Sequence, residues 1–522
     1  MARTKDLALP AEELTCREEL AAPAGRLGWA LILPAAALLL LAAACIGREA
    51  GAVKPLYTAA VLAGLLLLTL LVRVTKAGPR WVWLALLLAG AVGLRAVFAV
   101  EWTVLPHEEL LAQWNLALEL SRAEAAAWPA LTAAAGFDGP LGLGLAQAVY
   151  ESILIRLFGL DLLSVQLVNA LWGGLSCLLA ALIGEKMTGS RPAGLLAGAV
   201  TAFCPTLLFS AGALTATPLY TALLLAGVWL LLCRPFAASW VNHALAGAAW
   251  GLGQVLCPGL PLPLIGGAAW LLFTLSGRRR DKALLLRLAA LAAGFLALWL
   301  ALGGLLGALT GRDLLSARLA ERLAVGADPA ARGQYTWAVR SGAEPAPEGG
   351  VPTLSLMAEK TRLAFTSFDH RWARLDGGTA LREKIIRTVM HPALQSYMLL
   401  VLLLAAGGVL ALLRKGRRQA LLPPALLLAG AGTAALLEAD PAANGWLIPL
   451  LALCAAPAGE KVGEWIARMA APEGGKGRKK AAPLPVPLRV VRTVVSVAVY
   501  AAMLALVLVY FTGNGVFIYE AF

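Results

Sequence analysis

Apolar runs of about twenty residues recur along this chain, and no other feature constrains its fold as strongly. They fall at 27–46, 54–74, 81–100, 162–183, 192–212, 216–233, 239–256, 259–276, 285–310, 393–413, 419–438, 445–460 and 490–511. A helix needs about 20 apolar residues to cross the hydrocarbon core of a bilayer. Within lipid, only helices and closed barrels satisfy every backbone polar group. Composition enters here: 60% of the 522 residues are hydrophobic and 14% are charged, against about 25% charged in a soluble domain. Too little polar surface remains to cover a soluble fold. The 44 basic and 31 acidic residues leave a net charge of +13. Those basic residues sit in short clusters between the apolar runs, the pattern of a membrane's cytoplasmic side and not of a nucleic-acid surface. Soluble enzyme, DNA-binding protein and disordered scaffold are excluded. The sequence predicts an all-α polytopic membrane protein.

Cysteine usage adds no framework. Seven cysteines (Cys16, Cys45, Cys177, Cys204, Cys233, Cys257 and Cys454) occur without a CxxC, and most lie inside apolar runs. Neither a disulfide scaffold nor a zinc site is indicated. About 26 residues of mixed charge precede the first run, too many for a signal-peptide n-region. Leu27 to Ile46 therefore reads as an uncleaved first span.

Charge sets the expected sidedness. The basic clusters are Arg73/Lys76/Arg80, Lys186/Arg191, Arg278–Lys282, Arg414–Arg418 and Lys476–Lys480. One further apolar run, 140–158, contains Glu151 and Arg156. If it crossed, Lys186, Arg191 and every later cluster would face outward. If it lies along the outer interface, all five clusters face the cytoplasm. The second arrangement predicts about 13 spans, an N-terminus inside and a C-terminus outside. Two extracytoplasmic segments result. The first, 101–161, is rich in acidic residues. The second, 311–391, is interrupted by Pro345, Pro347, Gly349 and Gly350, with a helix expected over Leu354 to Phe368. Loops of that length are usually functional or disordered.

The sharpest local feature is Leu105-Pro-His-Glu-Glu-Leu110, just after a span that carries Arg95. Pro106 suits the opening of a helix, and acidic residues in a first turn suit its dipole. Capping alone therefore explains Glu108 and Glu109. Arg95 is different: an intramembrane charge is costly and marks function, unless it snorkels to the interface. His107 has no second histidine at ligand spacing, so no metal site is assigned. His243, beside Asn242 at a span entrance, reads as interfacial. Trp81, Trp83, Trp102, Trp372 and Trp446 sit at span ends as an aromatic belt. Tyr335 and Trp337 of the second loop are suited to stacking on a sugar.

The order of these elements resembles the GT-C glycosyltransferases, the polyprenyl-phosphate-sugar-dependent enzymes that include protein mannosyltransferases and lipid A aminoarabinose transferases. Arg95, then Pro106-His-Glu108-Glu109 with Trp114, Asn115 and Ala117, is similar to that family's Arg…Pro-x-Asp-Glu…Tyr…Ala pattern. Phe137-Asp138-Gly-Pro140 through Leu157-Phe-Gly159 resembles its second juxtamembrane helix. Leu214-Thr-Ala-Thr217-Pro218 is similar to its Leu-Thr-Glu/Asp-Pro segment, and Gly251-Leu-Gly-Gln-Val-Leu-Cys257-Pro258 to its Gly-Leu-x-x-Leu-Thr-Arg/Lys-Pro. Glu359–Phe365 and Trp446–Leu451 resemble later features. The likeness covers about 81–460, and each motif is weak alone. It divides the chain into an N-terminal segment with two added spans (1–80), a GT-C-like core (81–460), a basic cytoplasmic linker (461–489) and a last span with an outer C-terminus (490–522).

What the resemblance implies is an inverting glycosyltransferase in the plasma membrane, its active site on the extracytoplasmic face. It would move a sugar from a polyprenyl-phosphate donor to a cell-envelope glycan, lipid or protein, with no nucleic-acid partner. Glu108 takes the position of the catalytic base, deprotonating the acceptor hydroxyl. Asp138 takes that of the acidic residue before the second helix, in a catalytic or metal-linked role; a divalent ion is the one cofactor left open. Glu109, Arg95, Arg340, Lys360 and Tyr335 are the expected substrate contacts, since developing phosphate charge calls for cations. The chain departs from the family at Glu108, usually Asp, at Thr217, often acidic, at Cys257, usually Arg or Lys, and at Gly139, where some members place Lys. Arg332, Arg340, Lys360, Arg362 and His370 are the cations expected to replace the missing ones. A catalytically degenerate scaffold, and a transporter or polymerase of lipid-linked glycans, are the competing classes.

Overall fold

The computed structural model describes residues 28–48, 53–76, 78–101, 104–106, 109–135, 144–257, 261–275, 281–315, 319–334, 350–365, 373–375, 386–415, 417–437 and 443–470. In chain order the helices are α1 (Trp29–Arg48), α2 (Pro55–Val74), α3 (Arg80–Glu101), α4 (Glu109–Arg122), α5 (Trp128–Ala134), α6 (Leu145–Phe158), α7 (Leu162–Thr188), α8 (Arg191–Ala202), α9 (Pro205–Gly212), α10 (Thr217–Cys233), α11 (Ser239–Leu256), α12 (Leu262–Leu275), α13 (Asp281–Thr310), α14 (Leu319–Ala327), α15 (Leu354–Phe365), α16 (His391–Lys415), α17 (Leu422–Leu436) and α18 (Leu447–Ala470). Two three-residue strands, β1 (Val104–Pro106) and β2 (Ala373–Leu375), pair antiparallel. Among the described residues, seven helical stretches are long and apolar enough to cross a membrane, or eight if the bent pair α8–α9 counts as one span. The protein is an all-α, multi-pass membrane protein. The expected span at 490–511 lies outside the described residues.

One predicted run is broken. The sequence suggests a continuous span over 192–212, but α8 and α9 meet at a 53° bend. Pro205 has no N–H to give to the carbonyl of Thr201 four residues back, so the ladder fails there. Arg95 of α3 fills the gap: its Nη2 donates to Thr201 O at 3.3 Å and its Nη1 to Ala91 O at 3.0 Å. Glycine makes the room, because a Cβ on Gly173 of α7 would stand 2.5 Å from Arg95 Nε.

Helix crossings elsewhere use the same device. Where α11 crosses α13, a Cβ on Gly294 would stand 1.9 Å from Ala244 O. Small residues permit such close backbone approach in membranes, where no hydrophobic force draws helices together. The first helix is not peripheral to this core. α1 packs on α15, α16 and α17, and Ile32, Ala35, Leu39, Ala42 and Ile46 are completely buried. By packing, then, the first added span belongs to the bundle.

The bundle has two distinct ends. At one, three of the basic clusters converge among the described residues: Arg80 pairs with Glu185 at 3.0 Å, Arg191 donates to Thr75 O and Gly78 O, both at 3.0 Å, and Gln419, beside Arg418, donates to Lys186 O at 2.7 Å. At the other end lie β1, β2 and the short helices α4, α5, α6, α14 and α15. α6 has 14 residues, about 21 Å of helix at 1.5 Å per residue, against the roughly 30 Å of a bilayer core. It packs on α4 and on the first turns of α7.

Candidate functional site

The loop end is built around one polar seam. α9 ends at Gly212, and its last carbonyls have no helical N–H to receive. Three carboxamides reach in to take consecutive ones. Gln166 donates to Gly212 O at 2.7 Å, Asn169 to Ala213 O at 3.3 Å, and Gln113 to Leu214 O at 3.0 Å. Gln166 and Asn169 share one face of α7 at i, i+3 spacing. Gln113 comes from α4, one turn after Glu109, on that residue's side of the helix.

Gln113 also joins the seam to α6. Its Nε2 donates to Glu151 Oε1 at 2.7 Å, and Gln147 Nε2 donates to the same oxygen at 3.0 Å. The cluster is closed to solvent, with Glu151 0%, Gln147 1% and Gln113 3% exposed. Burial pushes the Glu151 carboxyl from 4.5 up to about 8, against the smaller opposing pull of the two amide bonds. Such a shift follows from desolvation of the charged form. An apolar shell of Leu116, Leu120, Trp128, Leu145, Val149 and Ile155 lies alongside. Arg156 closes it, donating to Leu120 O and Ala123 O at 2.7 Å each at the end of α4, with its guanidinium 5.9 Å over the Trp128 ring.

The paired strands tie the two loops together immediately before the acidic run. Val104, Leu105 and Pro106 face Leu375, Arg374 and Ala373. Pro106 therefore ends a strand and does not open a helix as the sequence suggested. It has no N–H to give a ladder, which restricts it to such an edge position. α4 begins at Glu109. Glu108, His107, Asp138, Tyr335, Arg340 and His370 lie outside the described residues, as does the Glu109 side chain.

Two expected substrate contacts are described with their side chains, and both are fully buried. Arg95 spans the α8–α9 bend as above, at 0% exposure. Lys360 of α15, also at 0%, donates from Nζ to Gly326 O at 2.7 Å, the carbonyl next to the end of α14. A cation there suits the helix dipole. Gly333, at φ +70, leaves space for the Lys360 stem, since a Cβ would stand 2.5 Å from its Cδ. Both residues support the site from within; neither offers surface to a substrate. Arg362 bonds Glu359 at 2.6 Å and holds its carboxyl below the ordinary value. Arg332, at φ 54, lies 3.9 Å from the same carboxylate. The helix expected over Leu354–Phe368 is described as far as Phe365.

Thr217 and Cys257 come to the same end. Thr217 opens α10, buried, and a Cβ on Gly445 would stand 3.0 Å from its Cγ2. Tyr220 meets Trp446 edge to face at 5.8 Å. Cys257 directly follows α11, and Arg322 of α14, buried at 7% exposure, is near enough to act on its thiol electrostatically. Arg322 was not foreseen from sequence. The signal was there: Leu319, Arg322 and Leu323 stand at helical spacing in the second loop. His243, expected at the interface, is instead fully buried with Nδ1 2.7 Å from Ser239 O. Among the described residues no three His, Cys, Asp or Glu side chains form a metal-binding group. No protein family, characterised protein or solved structure matches this chain.

Proposed function

We propose that this protein is an integral-membrane glycosyltransferase of GT-C type, moving a sugar from a polyprenyl-phosphate donor to an extracytoplasmic acceptor with inversion. The observation that carries the reading is the β1–β2 pairing. It anchors both long loops directly before Glu108, at the end of the bundle opposite the basic clusters. With those clusters on the cytoplasmic side, Glu108 stands at the outer interface, where a lipid phosphate lies. A carboxylate there serves as general base toward the acceptor hydroxyl. Asp138 assists or binds a divalent ion. Arg95 and Lys360 hold the scaffold, while Glu109, Tyr335 and Arg340 remain candidate contacts. Arg322 is a buried cation that acts electrostatically on the Cys257 thiol.

The test is transfer from a polyprenyl-phosphate sugar by the purified full-length protein in lipid. Glu108→Gln keeps size but removes basicity, and is expected to lower turnover about 10²- to 10⁴-fold with donor binding intact. Glu108→Asp should retain activity, and Glu109→Gln should lose less. Wild-type rate in Glu108→Gln with none in Asp138→Asn moves the base to Asp138. The buried, uncharged Thr217 and the uncharged Cys257 favour one second reading, a degenerate scaffold. That reading takes over if the wild type transfers no sugar from any donor.

A further inference from the structure

Among the described residues, three buried acceptors around the seam have no donor: Glu151 Oε2, Gln147 Oε1 and Asn169 Oδ1. Two of the three belong to groups already joined, since Gln147 Nε2 donates to Glu151 Oε1. A carboxylic acid and a carboxamide form a closed two-bond ring when the acid keeps its proton. The amide N–H goes to the acid carbonyl oxygen, and the acid O–H goes to the amide oxygen. A proton on Glu151 Oε2 thus supplies the donor that Gln147 Oε1 lacks. An ionised Glu151 would leave both atoms buried and unmatched, a cost that burial makes large.

Among the described residues, no charged side chain is bonded to Glu151. On α6, Tyr150 accepts from Trp172 Nε1 at 3.0 Å, and Arg156 is committed to the end of α4. On α4, Glu119 and Arg122 are exposed. On α7, Asp161 caps its own helix through Leu163 N at 3.0 Å. Cys204 precedes α9 and Cys257 follows α11, both uncharged as thiols, and Arg312 and Asp313 follow α13. None of these is bonded to Glu151 in the described hydrogen bonds.

We propose that Glu151 is a neutral acid acting as a proton-held clasp: uncharged, it stays buried in the seam between α6 and α4, where it accepts from Gln113, and the charge left by loss of the proton favours separation of α4 from that seam. Glu151 is thereby a positioning residue for the segment that carries Glu108 and Glu109. The inference rests on the reading above only for what that segment does; the clasp itself stands on the seam's geometry. The sign follows from linkage. The carboxyl binds its proton more tightly in the closed state, about 8, than in an open one near 4.5. Opening therefore becomes easier by about tenfold per pH unit across that window, and levels off above it.

Two measurements on the full-length protein in lipid nanodiscs test this. Infrared difference spectra of wild type against Glu151→Gln should show the C=O band of a protonated carboxyl at neutral pH, fading as the pH passes about 8. An ionised-carboxylate band at neutral pH overturns the proposal. Amide hydrogen exchange of α4, corrected for its intrinsic pH dependence, should quicken with pH in wild type and stay flat in Glu151→Gln, which keeps both ring bonds. Glu151→Leu should exchange fast at every pH. If Gln and Leu variants exchange alike, the clasp is refuted. Both readouts are independent of sugar transfer. An inactive wild type with the expected spectra removes the glycosyltransferase reading and leaves the clasp, and the converse result does the reverse.

Discussion

The two ends of this bundle solve the same problem with different chemistry. Each must satisfy the backbone groups that helices leave open where they stop. The basic end relies mainly on charged side chains near water, Arg191 on two carbonyls and Arg80 on Glu185 with the two side chains 52% and 25% exposed, beside one buried carboxamide, Gln419, on Lys186 O. The loop end relies mainly on neutral carboxamides buried among apolar residues, Gln113, Gln166 and Asn169 on three successive carbonyls, beside one buried cation, Lys360, on Gly326 O. The difference teaches where stability resides. A charge near water loses little when its partner is removed, because solvent replaces the bond. A buried carbonyl deprived of its amide has no replacement.

That contrast can be broken or sharpened by substitution, measured as unfolding free energy in a fixed lipid–detergent mixture. Gln113→Leu should cost most, about 2–3 kcal/mol, because it orphans Leu214 O and weakens the hold on Glu151 together. Gln166→Leu, which orphans Gly212 O, should cost about 1–2 kcal/mol. Arg191→Leu at the opposite end should cost about 1 kcal/mol, since water reaches part of that site. Arg80→Ala should cost under about 0.5 kcal/mol, and added salt should shrink even that. If Arg80→Ala destabilised as much as Gln113→Leu, the distinction drawn between the ends would fail.

The α8–α9 bend offers a separate check on buried carbonyls. Arg95→Met should destabilise by about 1–3 kcal/mol by leaving Thr201 O without its donor. Pro205→Ala restores a backbone N–H at the position that serves that carbonyl in a continuous helix. The two changes together should therefore cost less than their sum. Strict additivity would mean that Arg95 does not stand in for the missing N–H.

Much of the architecture was legible in the sequence, and the reason is solvent. Twenty-residue apolar runs have one stable form in lipid, so the helices α1 to α3, α7, α13 and α16 fall within a few residues of the expected bounds. A helix within the apolar run 140–158 was legible too, and it spans Leu145–Phe158. The site was far less so. Sequence marks Arg95 as a costly charge and Lys360 as a second-loop cation, yet not which partner either meets; in the structure both are fully buried and donate to backbone carbonyls. Gln113, Gln147, Gln166 and Asn169 carry no signal at all, since a carboxamide in a helix is as common on a wet face as inside. Pairing β1 with β2 joins residues some 270 positions apart, and no local pattern in three residues specifies a partner that distant. What the sequence by itself determined is the solvent each segment requires, because transfer into lipid is summed residue by residue along one helix. Which polar groups meet was decided only by the tertiary structure, because a hydrogen bond depends on positions that helices from distant parts of the chain share only once they are packed.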